Sequence, residues 1–203
     1  GEPMNTRIVR LLFKVALLGV GALAVGCDDP VPPSAQGAVK YRLGRQPTGP
    51  VCSASSPSET IGSINVTDLT QSTPLVNDEG GKVSCRVKPS GNSYNVNVSL
   101  QQGPNLFALS GVVTPGEVSK VIVNLTADSI KATYSSNPDN PCTLRVDGAT
   151  PAGLGISPGK IRAIFDCPDM ILSGATTDAP RCAITGATSE EPGGYIFFDN
   201  CDE

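Results

Sequence analysis

The chain has 203 residues, and glycine (22) and proline (18) together make up about a fifth of it, against roughly an eighth in average usage. Aromatic residues are 4%, tryptophan is absent and there is no histidine, which excludes a long coiled coil or a multi-domain enzyme and removes imidazole from every catalytic scheme. The formal net charge is −4, and no basic cluster follows the first 26 residues, so nucleic acid is a poor partner.

Residues 1–26 read as an address rather than as part of a fold. Arg7, Arg10 and Lys14 form a positive flank, and the twelve residues Val15 to Gly26 carry no charge. A bilayer-spanning helix needs about 20 apolar residues, so this run matches the apolar region of a signal peptide instead. It ends in Leu23-Ala24-Val25-Gly26-Cys27, which resembles the lipobox of bacterial lipoproteins. That family prefers Leu at the third residue before the Cys, where this chain has Ala24, with Leu23 one place earlier. The resemblance implies cleavage before Cys27, acylation of Cys27, and a membrane partner reached through an N-terminal lipid anchor. Several acyl chains on one residue hold firmly, where a single chain binds only marginally. Asp28 follows, a signal for inner-membrane retention in enteric bacteria but not in other lineages, so the inner and outer membranes both stay open. Residues 27–38, with Pro30, Pro32 and Pro33, read as a Pro-rich stalk of about 3.1 Å per residue, and residues 39–203 as a single domain.

Setting aside Arg7, Arg10, Lys14 and Glu2 leaves twelve basic and eighteen acidic residues, a net charge of −6. Of the seven cysteines, Cys27 is assigned to lipid. Cys52, Cys85, Cys142, Cys167, Cys182 and Cys201 remain, an even number in an exported chain, which predicts three disulfides with fifteen possible connectivities. A thiolate metal site is disfavoured because there is no C-x-x-C and no histidine. No metal and no cofactor is expected.

Apolar residues alternate with polar ones over 82–88, 93–101, 121–126, 142–147 and 161–167, and less clearly over 39–43, 60–66, 106–113, 131–134, 182–187 and 194–199. Turn signals fall between them: Asn77–Gly81, Pro89–Gly91, Gln102–Pro104, Thr114–Gly116, Asn137–Pro141 and Pro192–Gly194. This pattern predicts an all-β fold, an antiparallel β-sandwich or barrel-like sandwich stapled by disulfides. Cys85, Cys142 and Cys167 share faces with apolar residues, which suits bridges that join sheets or tie loops to them. Thr114–Glu117 resembles a helix capping box, but the β-branched run after it favours a strand.

Catalytic patterns are scarce. Gly155-Ile156-Ser157-Pro158-Gly159 matches G-x-S-x-G, yet no histidine is present to activate Ser157, and Pro158 lacks the N–H an oxyanion would need. The expectation there is a turn before a strand. Gly159-Lys160 lacks the other residues of a phosphate loop. The acidic groups Asp166/Asp169, Asp78/Glu79 and Asp199/Asp202/Glu203 could offer oxygen to calcium but fit no loop spacing and are more simply solvated turns. Asn65, Asn97 and Asn124 open N-x-[ST] sequons, which in a bacterial lipoprotein read as polar-face strand residues.

The sequence therefore points to a non-catalytic, lipid-anchored cell-envelope protein, on the outer membrane or facing the periplasm, that engages another envelope protein as a binding or assembly module. The alternative is a glycan or small-ligand module with stacking residues drawn from Tyr41, Tyr94, Tyr134, Tyr195, Phe197 and Phe198. A hydrolase working through carboxylates alone ranks third. Tyr195-Ile196-Phe197-Phe198 reads as core before contact patch.

Overall fold

The alternating runs become strands, and the apolar phase of each decides which way it faces. The computed structural model describes residues 33–45, 52, 58–77, 80–174, 181–186 and 191–203. The expected signal segment, Cys27, the expected stalk up to residue 32 and the Asp78/Glu79 pair lie outside these described residues. Four long strands form a meander: β5 (Lys82–Ser90), β6 (Ser93–Gln102), β7 (Asn105–Val113) and β8 (Ser119–Ala127). Before them come β1 (Gln36–Tyr41), β2 (Leu43–Arg45), β3 (Glu59–Ile61), a single 3-10 turn (Leu69–Gln71) and β4 (Leu75–Val76). After them come β9 (Ala132–Ser136), β10 (Cys142–Arg145), β11 (Gly155–Ser157), β12 (Lys160–Leu172), β13 (Arg181–Ile184) and β14 (Gly194–Asp199).

All of these join one antiparallel sheet in the order β3-β1-β14-β12-β10-β8-β7-β6-β5, with the short strands attached along it. β12 is its axis. On one side it pairs in turn with β9, β10 and β11, which run in the same direction like one interrupted strand. On the other it pairs with β13 and then β14, again one interrupted strand, which are flanked in turn by β2 and β1. The sheet then curls until β5 meets the residues that follow β14. Val87 N–H donates to the Asp202 carbonyl and Asp202 N–H to the Cys85 carbonyl, both at 2.9 Å. The result is an all-β, barrel-like sandwich with no α-helix among the described residues.

Inside, Tyr41 of β1 stacks near Phe107 of β7 (ring centroids 6.3 Å apart), and Phe107 packs at 5.5 Å against Phe165 of β12. All three are 1% exposed or less, and they tie opposite parts of the curled sheet together. Large aromatics of this kind dominate core energetics because they bury the most apolar area. The inward residues of the meander, such as Val98, Leu109 and Val123, fill the remaining space.

All six domain cysteines pair, Cys52 with Cys182, Cys85 with Cys201 and Cys142 with Cys167. Cys85–Cys201 sits on the seam where β5 meets the C-terminal segment. Cys52–Cys182 ties a loop residue to β13. Cys142–Cys167 joins neighbouring strands, β10 and β12, rather than facing sheets. Bridges closing loops this long typically contribute about 2–4 kcal/mol each.

Several local expectations shift. β1 begins at Gln36, so the last three residues assigned to the stalk belong to the sheet. Gly37 reads as linker in a Pro-rich context, but a Cβ there would come within 2.7 Å of the Phe198 ring, and the glycine is what lets that ring pack. The run at 60–66 yields only β3, while β4 and β11 arise without a clear alternating signal. Asn137–Pro141 does not reverse the chain. It is a small excursion between β9 and β10, closed by a hydrogen bond from Asn140 N–H to the Asn137 carbonyl. Pro115 and Gly116 (φ +80°) make the β7–β8 turn, with Glu117 N–H bonded to the Thr114 carbonyl, so the capping-box residues cap no helix.

Gly194 faces Phe165 across the β12–β14 pair, and a Cβ there would lie 2.3 Å from the ring. Gly194→Ala should therefore displace the central aromatic and lower stability by about 1–3 kcal/mol, read as a lower urea midpoint with an unchanged slope.

Candidate functional site

The outer face of the sheet is divided in two by what covers it. Over β1, β14 and β12 lie the segment 62–73 and the loop around Ala152, joined by bonds from Leu69 N–H to the Ala152 carbonyl (2.9 Å) and from Ala152 N–H to the Thr67 carbonyl (3.0 Å). Leu69, Ala38, Ile164 and Phe197 are consequently buried although they lie outside the main core. Arg162 stacks its guanidinium 4.5 Å from the Phe197 ring centre and donates to Asp199 at 2.9 Å, a cation–π contact and a charge-assisted bond that hold this second layer. Asp68 accepts from Thr70 N–H, Thr70 Oγ1 and Gln71 Nε2, and the Thr70 bonds hold its carboxyl below the ordinary value.

The outer face of β5–β8 carries no such cover among the described residues. One row of it is made of short side chains, Ser84, Ser99, Ala108 and Asn124 lying side by side across the four strands, while Lys82, Arg86 and Lys88 of β5 and Lys120 of β8 stand on the same face. At its lower rim, around the β7–β8 turn, stand Val112, Val118 and Ile122, which are 54%, 60% and 53% exposed. Val112 and Ile122 project from adjacent strands and Val118 from the turn, so they gather on one hairpin. A flat face with apolar residues at one rim is a shape suited to protein contact.

Between the cover and the end of β14 is a cleft of about 260 Å³. Lys40 pairs in register with Tyr195 of β14, and Arg42 follows two residues on, past the end of β1 and, by the alternation of an extended chain, on the same face. The cleft wall is fixed at Gly193. Its carbonyl accepts from Arg42 N–H at 3.0 Å, and its N–H donates to Asp166 Oδ1 at 2.7 Å. Glu191, Pro192 and Val66 complete the rim. Burial, then Glu191 and Asp166, push the Tyr195 phenol up, which keeps it a hydrogen-bond donor.

The residues singled out from sequence end up dispersed. Tyr41, Tyr134, Phe197 and Phe198 are buried and cannot stack on a ligand, and Tyr94 packs against the core. Of the six, Tyr41 and Tyr195 border the cleft, and Tyr41 is buried there while Tyr195 is partly exposed. Ile196 and Phe198 belong to the main core, and Phe197 is buried under the cover on the other face. Ser157 is in the β11–β12 hairpin, where Pro158 and Gly159 (φ +70°) form the turn. Asp166 and Asp169 diverge: Asp169 is buried and accepts from Asn137 Nδ2 (2.6 Å) and Arg181 Nη1 (2.7 Å). Asp199 serves Arg162 and Lys160, and Asp202 lends its backbone to the seam. Asn97 and Asn124 are strand residues, as expected. Asn65 is not: its side-chain oxygen accepts from Thr67 and Asp68 and shapes a turn in the covering segment. Lys40, Arg42 and Glu191 went unnoticed in the sequence. Both cations sit at alternate positions of the run 39–43, but only the pairing with β14 brings Tyr195 to them. No protein family, curated protein or solved structure matches the chain.

Burial raises Asp166 above the ordinary 3.8, opposed in part by the Gly193 N–H and by Arg145. The folded state thus holds this proton more tightly than the unfolded chain does. The contribution favours folding below the unfolded value and is lost as pH rises through the folded one. Asp166→Asn keeps an oxygen for Gly193 without the buried charge. Its melting temperature should exceed that of the native chain at neutral pH, and the difference should shrink as pH falls toward 4 in paired thermal melts.

Proposed function

We propose that the chain is a non-catalytic, lipid-anchored protein of the bacterial cell envelope that serves as a binding or assembly module for another envelope protein. One observation carries the reading. The three disulfides use six of the seven cysteines, and the seventh is Cys27, the residue that the lipobox resemblance assigns to lipid. Disulfides persist in oxidising, extracytoplasmic compartments, so cysteine pairing and the N-terminal signal support the same placement. A covalently locked sheet is a rigid scaffold, and its open β5–β8 face with Val112, Val118 and Ile122 is the surface we assign to the partner. The cleft beside β14 favours a second reading, a small-ligand site.

In-situ crosslinking of the full-length chain in its native envelope, followed by affinity capture and mass spectrometry, should yield one abundant partner protein. Val112→Lys with Ile122→Lys should deplete that partner roughly tenfold or more, since a charge at the centre of an apolar contact must be desolvated without a counterpart. Cys27→Ser should move the chain from the membrane fraction to the soluble fraction. Capture of no partner would overturn the module reading, and an unaltered membrane fraction would overturn the anchor.

A further inference from the structure

Two cations line the cleft beside β14, Lys40 near the end of β1 and Arg42 just past it. Lys40 and Arg42 alternate with the inward Val39, Tyr41 and Leu43, so both project from the outer face, and the Lys40–Tyr195 pairing sets a phenol next to the ammonium. Neither cation makes an ion pair among the described residues. Two like charges this close repel one another, and a bound anion would convert that repulsion into attraction. The guanidinium fork fits a planar carboxylate in a two-bond geometry that a compact ammonium cannot reproduce. Val66, Pro192 and the Tyr195 ring offer apolar walls beside it, and Glu191 at the rim disfavours ligands of high negative charge. A cleft of about 260 Å³ is smaller than the space a drug-sized ligand fills, and suits a single sugar ring or a terminal amino acid.

We infer that this cleft binds a singly charged carboxylate on a small polar ligand, either a sugar acid or the C-terminal residue of a peptide, with Arg42 and Lys40 on the carboxylate and the Tyr195 hydroxyl donating beside it. The inference deepens the small-ligand reading and depends on neither the lipid anchor nor the partner face. The walls are built before the ligand arrives. Gly193 is bonded on both sides, to Arg42 and Asp166, and a Cβ at that position would lie 2.4 Å from the Ile184 carbonyl carbon.

The test is calorimetric titration of the full-length chain in detergent micelles with four probes: glucuronate, glucose, an N-acetylated dipeptide with a free carboxylate, and the same dipeptide amidated. Glucuronate, the free dipeptide or both should bind, and their neutral counterparts roughly tenfold or more weakly, the usual consequence of losing a charge-assisted hydrogen bond. Whichever acid binds more tightly identifies the source of the carboxylate. Arg42→Gln and Lys40→Gln should each cost about tenfold, Lys120→Gln on the open face should change nothing, and raising the salt should weaken binding. Equal binding of acid and neutral probes, or binding indifferent to Arg42→Gln with Lys40→Gln, would overturn the carboxylate assignment while leaving a ligand site. Binding of no probe would overturn both.

Discussion

Pro168 has no amide hydrogen to give to a neighbour, yet it sits within the strand on which the rest of the sheet is hung. β12 has partners along both edges, and on both sides the ladder loses register at this proline. Toward β13 the register shifts between Cys167 and Met170, and toward β9 and β10 the chain leaves the ladder for the Asn137–Asn140 excursion. A missing donor explains why a bulge belongs there, since a straight ladder through proline would leave a carbonyl opposite without a partner. The bulge then has to be satisfied by other means. Asn137 N–H bonds the Asp169 carbonyl, the Asp169 carboxylate takes Asn137 and Arg181, and Val123 N–H turns to the Ser136 hydroxyl. A buried polar group is tolerable only when its hydrogen bonds are met, and in this network the polar residues of the interruption meet each other.

The interrupted neighbours also create the surfaces. Because β13 and β14 are separate pieces along one edge of β12, nine residues intervene between Ile184 and Gly194, and the last of them, Gly193, becomes the cleft wall. Because β10 and β11 are separate pieces on the other edge, the residues between them supply Ala152, which docks the covering segment over Phe197. The β5–β8 meander has no interruption, so nothing comparable rises over its outer face among the described residues. One half of the sheet is sculpted and the other is flat, and the division follows from where the chain leaves the ladder of β12.

Much of this fold was legible because a strand with one buried face writes its phase into the sequence. Val83, Cys85 and Val87, or Ile161, Ala163, Phe165 and Cys167, declare their side by alternation alone. The even count of domain cysteines likewise foretold three bridges, though not their connectivity, which depends on the curl that brings Cys201 to Cys85. Strands β4 and β11 are too short to show a period. The excursion at Asn137 escaped notice because a cluster of Asn, Pro and Asp signals a turn without specifying whether the chain reverses afterwards. The stacking candidates failed for a related reason: an aromatic on a strand is as consistent with core as with a binding face, and Phe197 is buried only because a distant loop lies over it. Lys40 and Arg42 carried no motif. Their significance comes from Tyr195, 155 positions after Lys40 in the chain and directly opposite it in the sheet.

That pairing depends in turn on how firmly the two strands are held. β1 is paired with β14 along its whole length, and β14 with β12 from Gly194 to Phe198. Just past Asp199 the chain is fixed by Cys201, whose sulfur is bonded to Cys85 and whose N–H donates to the Gly159 carbonyl. A ligand that must be met by two flexible cationic side chains loses less entropy when the backbone beneath them is already immobile. The covalent seam and the cleft are thus parts of one arrangement: closing the sheet at its C-terminal end fixes β14, and a fixed β14 holds Tyr195 beside Lys40. If the cleft takes the carboxylate we infer, its selectivity would rest on the side-chain chemistry of three residues rather than on induced closure, because the loop wall at Gly193 is already bonded to Arg42 on one side and to Asp166 on the other.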